Sequence, residues 1–177
     1  MNNSPHDSLV GESNKADLSI VIVLRDDYDY LYQILKKLVV QRVFFLEVII
    51  VDSGSGLDIN SSFESFSSLI NIKYHKINAS FPGRARNIGV SKVCGKWVAF
   101  LDAKTVPSEN WLSSYSPLLV NDETDFVYSL GNAIAKTIFQ EFTMQASYGS
   151  NPMRMLPGSI VGKRLFLLTK GFSENVR

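Results

Sequence analysis

The chain is nearly without cysteine: Cys94 is the only one in 177 residues. No internal disulfide can form, so burial and hydrogen bonding must hold the fold, and the usage fits a reducing compartment. Long apolar runs are also missing. None approaches the ~18 residues that a membrane-crossing helix needs, so no transmembrane segment is expected. Charge of one sign is absent too: 18 Lys and Arg against 17 Asp and Glu leave a net charge of +1. That balance gives no general pull toward nucleic acid, which is not expected as a partner, nor toward an anionic bilayer. His6 and His75 are isolated and Cys94 has no neighbour at ligand spacing, so no zinc site is expected. No Ser/His/Asp arrangement, repeat, linker or low-complexity segment stands out.

The first sixteen residues, MNNSPHDSLVGESNKA, lack the apolar core of a secretion signal. They read as a flexible, solvated leader over 1–16, followed by one domain over 17–177. Hydrophobic residues make up 45% of the chain, enough at this length for a full core.

What the chain does have is a series of unalternating apolar runs that end in carboxylates. Leu18 to Leu24 (LSIVIVL), Glu47 to Val51 (EVIIV) and the run within Lys96 to Pro107 (KWVAFLDAKTVP) have no polar alternation. That pattern suits strands covered on both faces, as in a parallel sheet. Asp26, Asp52 and Asp102 fall just after or at their carboxyl ends, the edge where open α/β sheets bind ligands.

Between the runs lie helical patterns. Tyr28, Leu31, Tyr32, Leu35, Leu38 and Val39 recur at three- and four-residue spacing, with Asp26 or Asp27 available as a cap. Ser61 to Leu69 reads as a short helix on Phe63, Phe66 and Leu69. Ile72 to Ile77 alternates as a less buried strand. Gly83 to Cys94 reads as a helix with Arg84 and Arg86 in its first turn, and Pro107-Ser108 open another that Pro117 should kink or end. Asp125 to Ser129 and Gly158 to Val161 read as short strands, Ala133 to Tyr148 and Lys163 to Leu168 as helices. Strands alternating with helices predict an α/β fold, a mainly parallel Rossmann-like sheet with helices on both faces.

Five segments carry a resemblance: LSIVIVLRDD, EVIIVDSGS, GRARNIGV, GKWVAFLDAKTVPSENWL and GSIVGKRLFLLTKGFSEN. Their order and spacing resemble family-2 glycosyltransferases, from about Leu18 onward. The resemblance implies a GT-A-type fold. It also implies transfer of a sugar, usually with inversion, from a nucleotide diphosphate sugar, a UDP-sugar first among them. The acceptor would be a glycan or lipid-linked molecule in cell-surface polysaccharide synthesis. It would place the chain in the cytoplasm, with association at the inner membrane face left open.

The resemblance also maps residues. The strand-1 end that lines the base pocket falls on Leu24, Arg25 and Asp26, and the carboxylate that accepts from the base falls on Asp52. The donor-side A-R-N-x-G segment brings Arg86 and Asn87. The acceptor-side motif falls on Lys170 to Glu174, with Gly171, Phe172 and Glu174 matching. The D-x-D motif, which holds Mn²⁺ or Mg²⁺ on the diphosphate, falls on Asp102, Ala103 and Lys104.

Two departures follow. An ammonium stands where the second metal carboxylate belongs, so Asp102 is the one metal ligand implied. The family's catalytic base, an acid beyond the acceptor motif, has no counterpart before Arg177, which implies a C-terminally incomplete catalytic domain.

Three outcomes stay open at Lys104: it contacts the diphosphate itself, it points away and leaves Asp102 a weaker metal site, or donor activation is lost. A surface ion pair between Asp102 and Lys104 is the plain alternative. At Asp52 the plain alternative is an aspartate that holds its own turn. Arg84 and Arg86 suit phosphate at a helix N-terminus or simple surface pairing. Arg154, Lys163 and Arg164 suit a solvated face first, or else an acceptor phosphate or lipid head groups. A non-catalytic nucleotide-sugar-binding module of a larger synthase is the competing function. A nucleotidyltransferase is disfavoured because LRDDYDY lacks a glycine-rich loop after the first strand.

Overall fold

A computed structural model of the chain describes residues 17–56, 63–120, 124–132, 137–140 and 152–175. Strand β1 (Leu18–Leu24) is buried along its whole length, and so is β2 (Glu47–Ser53). Together with β3 (Ile72–Ile77) and β4 (Trp97–Asp102) they form a parallel set within a six-stranded sheet. β2 runs on past Val51, so Asp52 and Ser53 belong to the strand.

Successive β1 residues serve opposite layers, as strand geometry requires. Ile20, Ile22 and Leu24 pack against Leu31, Ile34, Leu35 and Leu38 of α1 (Tyr28–Val40) and against Trp111 and Leu112 of α4 (Trp111–Tyr115). Val21 and Val23 face Ala85 and Val90 of α3 (Pro82–Lys92) and Phe166 of α5 (Lys163–Leu168). A short α2 (Glu64–Ser67) brings Phe66 into the first layer. Leu69, expected on that inner face, is exposed, and Ile70 is buried in its place. The expected helix over Ala133 to Tyr148 lies largely outside the described residues.

The remaining strands depart from the parallel pattern. β5 (Phe126–Gly131) and β6 (Met153–Gly162) are antiparallel to each other, and β6 is antiparallel to β4, giving the order β3-β2-β1-β4-β6-β5. The sequence pointed only to Gly158–Val161 of β6, because Pro157 cannot donate to a ladder and argues against a strand. Pro157 is accommodated within a register shift against β5. There the Ser159 hydroxyl substitutes for backbone pairing: Ser129 N–H donates to it at 2.8 Å, and it donates to the Met155 carbonyl.

β6 pairs with β4 only through Ala99, and its earlier half follows β5 instead. The bend is at Gly158, whose φ of +87° favours glycine, and a Cβ there would stand 2.6 Å from Ser129 Oγ. The upper end of β4 is thereby left open on one side.

The helix starts also differ from expectation. Asp27 takes the N-cap position of α1, but its side chain makes no cap bond. Pro82 opens α3 in its first turn, where a missing N–H costs nothing. The helix expected to open at Pro107-Ser108 starts only at Trp111, and Pro117 ends it, as expected, within a 3₁₀ turn (Ser116–Leu118).

Candidate functional site

Register brings the carboxyl-end residues of the parallel strands together. Leu24 pairs with Asp52 across β1–β2, and Val23 pairs with Asp102 across β1–β4. The two aspartates therefore flank β1 on one rim of the sheet. The chain winds from β1 outward to β2 and β3, then returns to β4 on the other side. This reversal is the place where α/β sheets open a crevice. A cavity of about 970 Å³ lies there. Its walls come from the ends of β1 and β4, the first turn of α3, the diverging half of β6 (Met155, Pro157), and Glu174 and Asn175 near the described C-terminal end.

Seven of the residues singled out from sequence line this cavity: Leu24, Arg25, Arg84, Arg86, Asp102, Lys104 and Glu174. Asp27 and Ser53 join them. The charged side chains on the walls are Arg25, Arg84, Arg86 and Lys104 against Asp27, Asp102 and Glu174, a cationic excess of one. Serine hydroxyls set the frame. Ser53 Oγ donates to the Ser80 carbonyl and accepts from Ser80 N–H, both at 3.0 Å, which fixes the loop that delivers the α3 N-terminus to the rim.

Asp26, Asp52, Asn87, Gly171 and Phe172 do not line the cavity. Asp52 is fully buried, and both of its oxygens are engaged: Oδ1 accepts from Ser55 N–H at 2.9 Å and Oδ2 from the Tyr74 hydroxyl at 2.7 Å. This is the geometry of an aspartate that holds its own turn. Asp26, at a φ of +57°, braces the same turn: its N–H donates to Ser55 Oγ at 2.8 Å and its Oδ1 accepts from Gly56 N–H at 3.1 Å.

Asn87 acts as a clasp. Its Oδ1 accepts from Phe172 N–H at 2.9 Å. Its Nδ2 donates to the Phe172 carbonyl at 2.9 Å and to Glu174 Oε1 at 3.0 Å. The 171–174 segment is thereby laid along α3, close enough that a Cβ on Gly83 would run into the Ser173 carbonyl. Phe172 packs edge-on against Phe100 and Phe166, at 5.3 and 5.4 Å between centroids. Its ring also lies 5.4 Å from the Arg86 guanidinium carbon. The segment's cavity-facing member is Glu174.

The D-x-D-like stretch is not extended. Thr105 N–H donates to the Asp102 carbonyl at 2.9 Å, closing a turn. Asp102 and Lys104 therefore find separate partners, and in place of the plain alternative, an ion pair between them, there are two others. Arg86 Nη2 donates to Asp102 Oδ1 at 2.6 Å, and Lys104 Nζ lies 3.2 Å from Asp27 Oδ1. The Arg86 side chain is 12% exposed, and its buried Nε has no hydrogen-bond partner among the described residues.

A hard divalent cation takes several oxygen ligands in its first sphere. Here the D-x-D-like position offers one carboxylate, already bonded through Oδ1 to a guanidinium, with an ammonium two residues on. Among the described residues no group of three His, Cys, Asp or Glu could hold a metal ion. Taken alone, the protein's own oxygens here do not make a Mn²⁺ or Mg²⁺ site.

The reach of Arg86 to Asp102 could not be read from spacing. The Pro157-Gly158 dipeptide was the one available signal for the β6 wall. Lys163, considered for an acceptor, instead ties α5 to the end of α3 by donating to the Val93 carbonyl at 2.7 Å. The opposite end of the sheet carries a separate buried network. Glu47, fully buried, accepts from Ser19 Oγ at 2.8 Å, Cys94 N–H at 2.7 Å and Lys73 Nζ at 2.6 Å. Burial works against its charge, but the bonds from Lys73, Cys94 and Ser19 outweigh that and hold its pKa down at about 2.

The model of the family described as glycosyl transferase family 2 matches residues 19–164. Among curated proteins, the chain is similar to the minor teichoic acid biosynthesis protein GgaA of Bacillus subtilis. The match is 34% identical over 112 residues, 59% of this chain and 25% of that protein. It is similar also to chondroitin synthase of Escherichia coli, 35% identical over 85 residues, 47% of this chain and 12% of that one.

Among solved structures, it superposes on S. aureus TarS 1-349 in complex with UDP-GlcNAc with a TM-score of 0.68 at 20% identity, over 90% of this chain and 49% of that one. The mannosyltransferase PcManGT of Pyrobaculum calidifontis, in complex with GDP-Man and Mn²⁺, gives 0.65 at 13% identity, over 92% and 49%. Both likenesses show the fold, a GT-A-type α/β architecture. The chain spans a quarter or less of the length of these two curated relatives and about half of each of these solved chains. Among the described residues no helix is long and apolar enough to cross a membrane.

Proposed function

The chain belongs to glycosyl transferase family 2, and on that premise we propose that its rim cavity binds a nucleotide diphosphate sugar, a UDP-sugar first, for transfer to a glycan or lipid-linked acceptor in cell-surface polysaccharide synthesis. The observation that carries this reading is the cavity itself. It lies at the β1/β4 reversal, and its walls bring Arg25, Arg84, Arg86 and Lys104 together with the N-terminus of α3. Guanidinium groups and free helix N–H groups suit a diphosphate. Leu24 and Arg25 stand where a base would rest, on a turn braced by Asp26 and Asp52. Glu174 faces the acceptor side, held there through Asn87, Gly171 and Phe172.

Two named similarities support the donor and the setting: a structural neighbour in complex with UDP-GlcNAc, and relatives named for teichoic acid biosynthesis and chondroitin synthesis. In the transfer, an acceptor hydroxyl oxygen bonds to the anomeric carbon. The bond from that carbon to the diphosphate oxygen breaks, its electron pair leaves on the diphosphate, and the hydroxyl proton passes to a general base. The proposed stereochemical outcome is inversion.

A panel of UDP-, GDP- and CDP-sugars in thermal unfolding tests the reading. At about a hundred times Kd, the matching donor should raise Tm by about 5–10 °C. No shift with any nucleotide sugar would contradict it. A second reading, a donor-binding subunit without turnover, draws on Lys104 at the second carboxylate position. Release of sugar from the bound donor would exclude it.

A further inference from the structure

We infer that this chain neutralises the donor's diphosphate with its own cations, Arg86 and Lys104, in place of a divalent metal. The inference rests on the reading of the rim cavity as a nucleotide diphosphate site and adds what supplies the counter-charge there.

The observations converge on one spot. Asp102 is the only carboxylate that the D-x-D position supplies, and its Oδ1 is bonded to Arg86 Nη2 at 2.6 Å. A metal at Asp102 would have to share the carboxylate with that guanidinium and take Oδ2 beside its positive charge. The guanidinium is not free to leave, because it is largely buried and lies against the Phe172 ring, which the clasp at Asn87 fixes in turn. The incoming metal would also meet the Lys104 ammonium on the same turn. Two positive groups and one engaged carboxylate make a poor site for a hard cation and a good one for an anion.

The same groups have donor capacity in reserve. Arg86 lines the cavity and gives one of its five N–H donors to Asp102, while its buried Nε has no partner among the described residues. Lys104 is 69% exposed and, among the described residues, is held by a single ion pair at 3.2 Å to Asp27, itself on the cavity wall. A diphosphate competes for Lys104 with three or more charged oxygens against one carboxylate. Lys104 acts there as a mobile point charge and Arg86 as a fixed donor. When the sugar's anomeric carbon–oxygen bond breaks, the electron pair stays on the diphosphate, and these two cations stand beside the charge that appears.

The experiment is calorimetric titration of UDP, with uridine as control, into the full chain in EDTA and again in Mn²⁺. It is paired with the electron paramagnetic resonance spectrum of Mn²⁺ in the presence of protein and UDP. The expected result is a UDP affinity that agrees between the two buffers within about twofold, with no protein-bound Mn²⁺ signal beyond that of Mn²⁺–UDP itself. Lys104→Ala should weaken UDP about tenfold or more, the range of one charge-assisted hydrogen bond, and leave uridine unchanged. Lys104 is a surface residue, so this variant should keep its wild-type Tm.

Tightening of UDP by about tenfold or more in Mn²⁺, or wild-type UDP affinity in Lys104→Ala, would overturn the inference while leaving the nucleotide site standing. Binding of neither UDP nor GDP in either buffer would remove the nucleotide reading and this inference together.

Discussion

Arg86 and Asp102 are sixteen positions apart in the chain and 2.6 Å apart in the fold, a link between the first turn of α3 and the end of β4. It couples the cation most deeply set in the cavity wall to the carboxylate that closes the β4 strand. Because Asp102 is 36% exposed, the pair contributes less than a fully buried one. Arg86→Ala should lower unfolding free energy by about 1–2 kcal/mol and weaken UDP binding. Asp102→Asn, which keeps an acceptor, should cost less stability. Urea unfolding of both variants checks the order.

The acid limb of stability should belong largely to Glu47. Its folded pKa, about 2, lies below the unfolded value near 4.5. The stabilisation is therefore complete above about pH 4.5 and is lost as pH falls through about 2. The shift corresponds to about 3 kcal/mol. Wild-type protein should lose that amount relative to Glu47→Gln between pH 5 and pH 2. Parallel curves for the two proteins would contradict it.

Asn87 should govern the order of the 171–174 segment. Asn87→Ala removes the bonds to the Phe172 backbone and Glu174, at a cost of about 1–3 kcal/mol. Amide exchange at Phe172 should quicken ahead of the sheet. Unchanged exchange there would show that the aromatic packing with Phe100 and Phe166 holds the segment alone.

Asp52 separates turn support from base contact. Tyr74→Phe deletes one of its donors and should cost about 1 kcal/mol, without changing uridine affinity. Asp52→Asn should behave alike, losing stability and keeping the uridine affinity. Loss of uridine binding at full stability would instead place Asp52 against the base.

The legible parts of the sequence were those whose cause is local. Unalternating runs in β1, β2 and β4 announced a sheet covered on both faces, and the carboxylates after them marked its rim. What stayed hidden depends on contacts between distant segments. Asp52 turned inward because β3 supplies Tyr74 beside it. Lys104 left Asp102 because the chain turns after β4 and Asp27 stands across the cavity. The first half of β6 was masked by Pro157, which only the register shift makes tolerable. α3 packs on small residues, Gly83, Ala85 and Gly89, and so shows no broad apolar stripe.

The central claim is that the rim between β1 and β4 holds a nucleotide diphosphate, and hydrogen–deuterium exchange with and without saturating UDP tests it most directly. The account predicts slowed exchange in peptides carrying Leu24–Asp27, Phe81–Arg86 and Asp102–Thr105. Unchanged exchange in all three, with UDP bound, would contradict it.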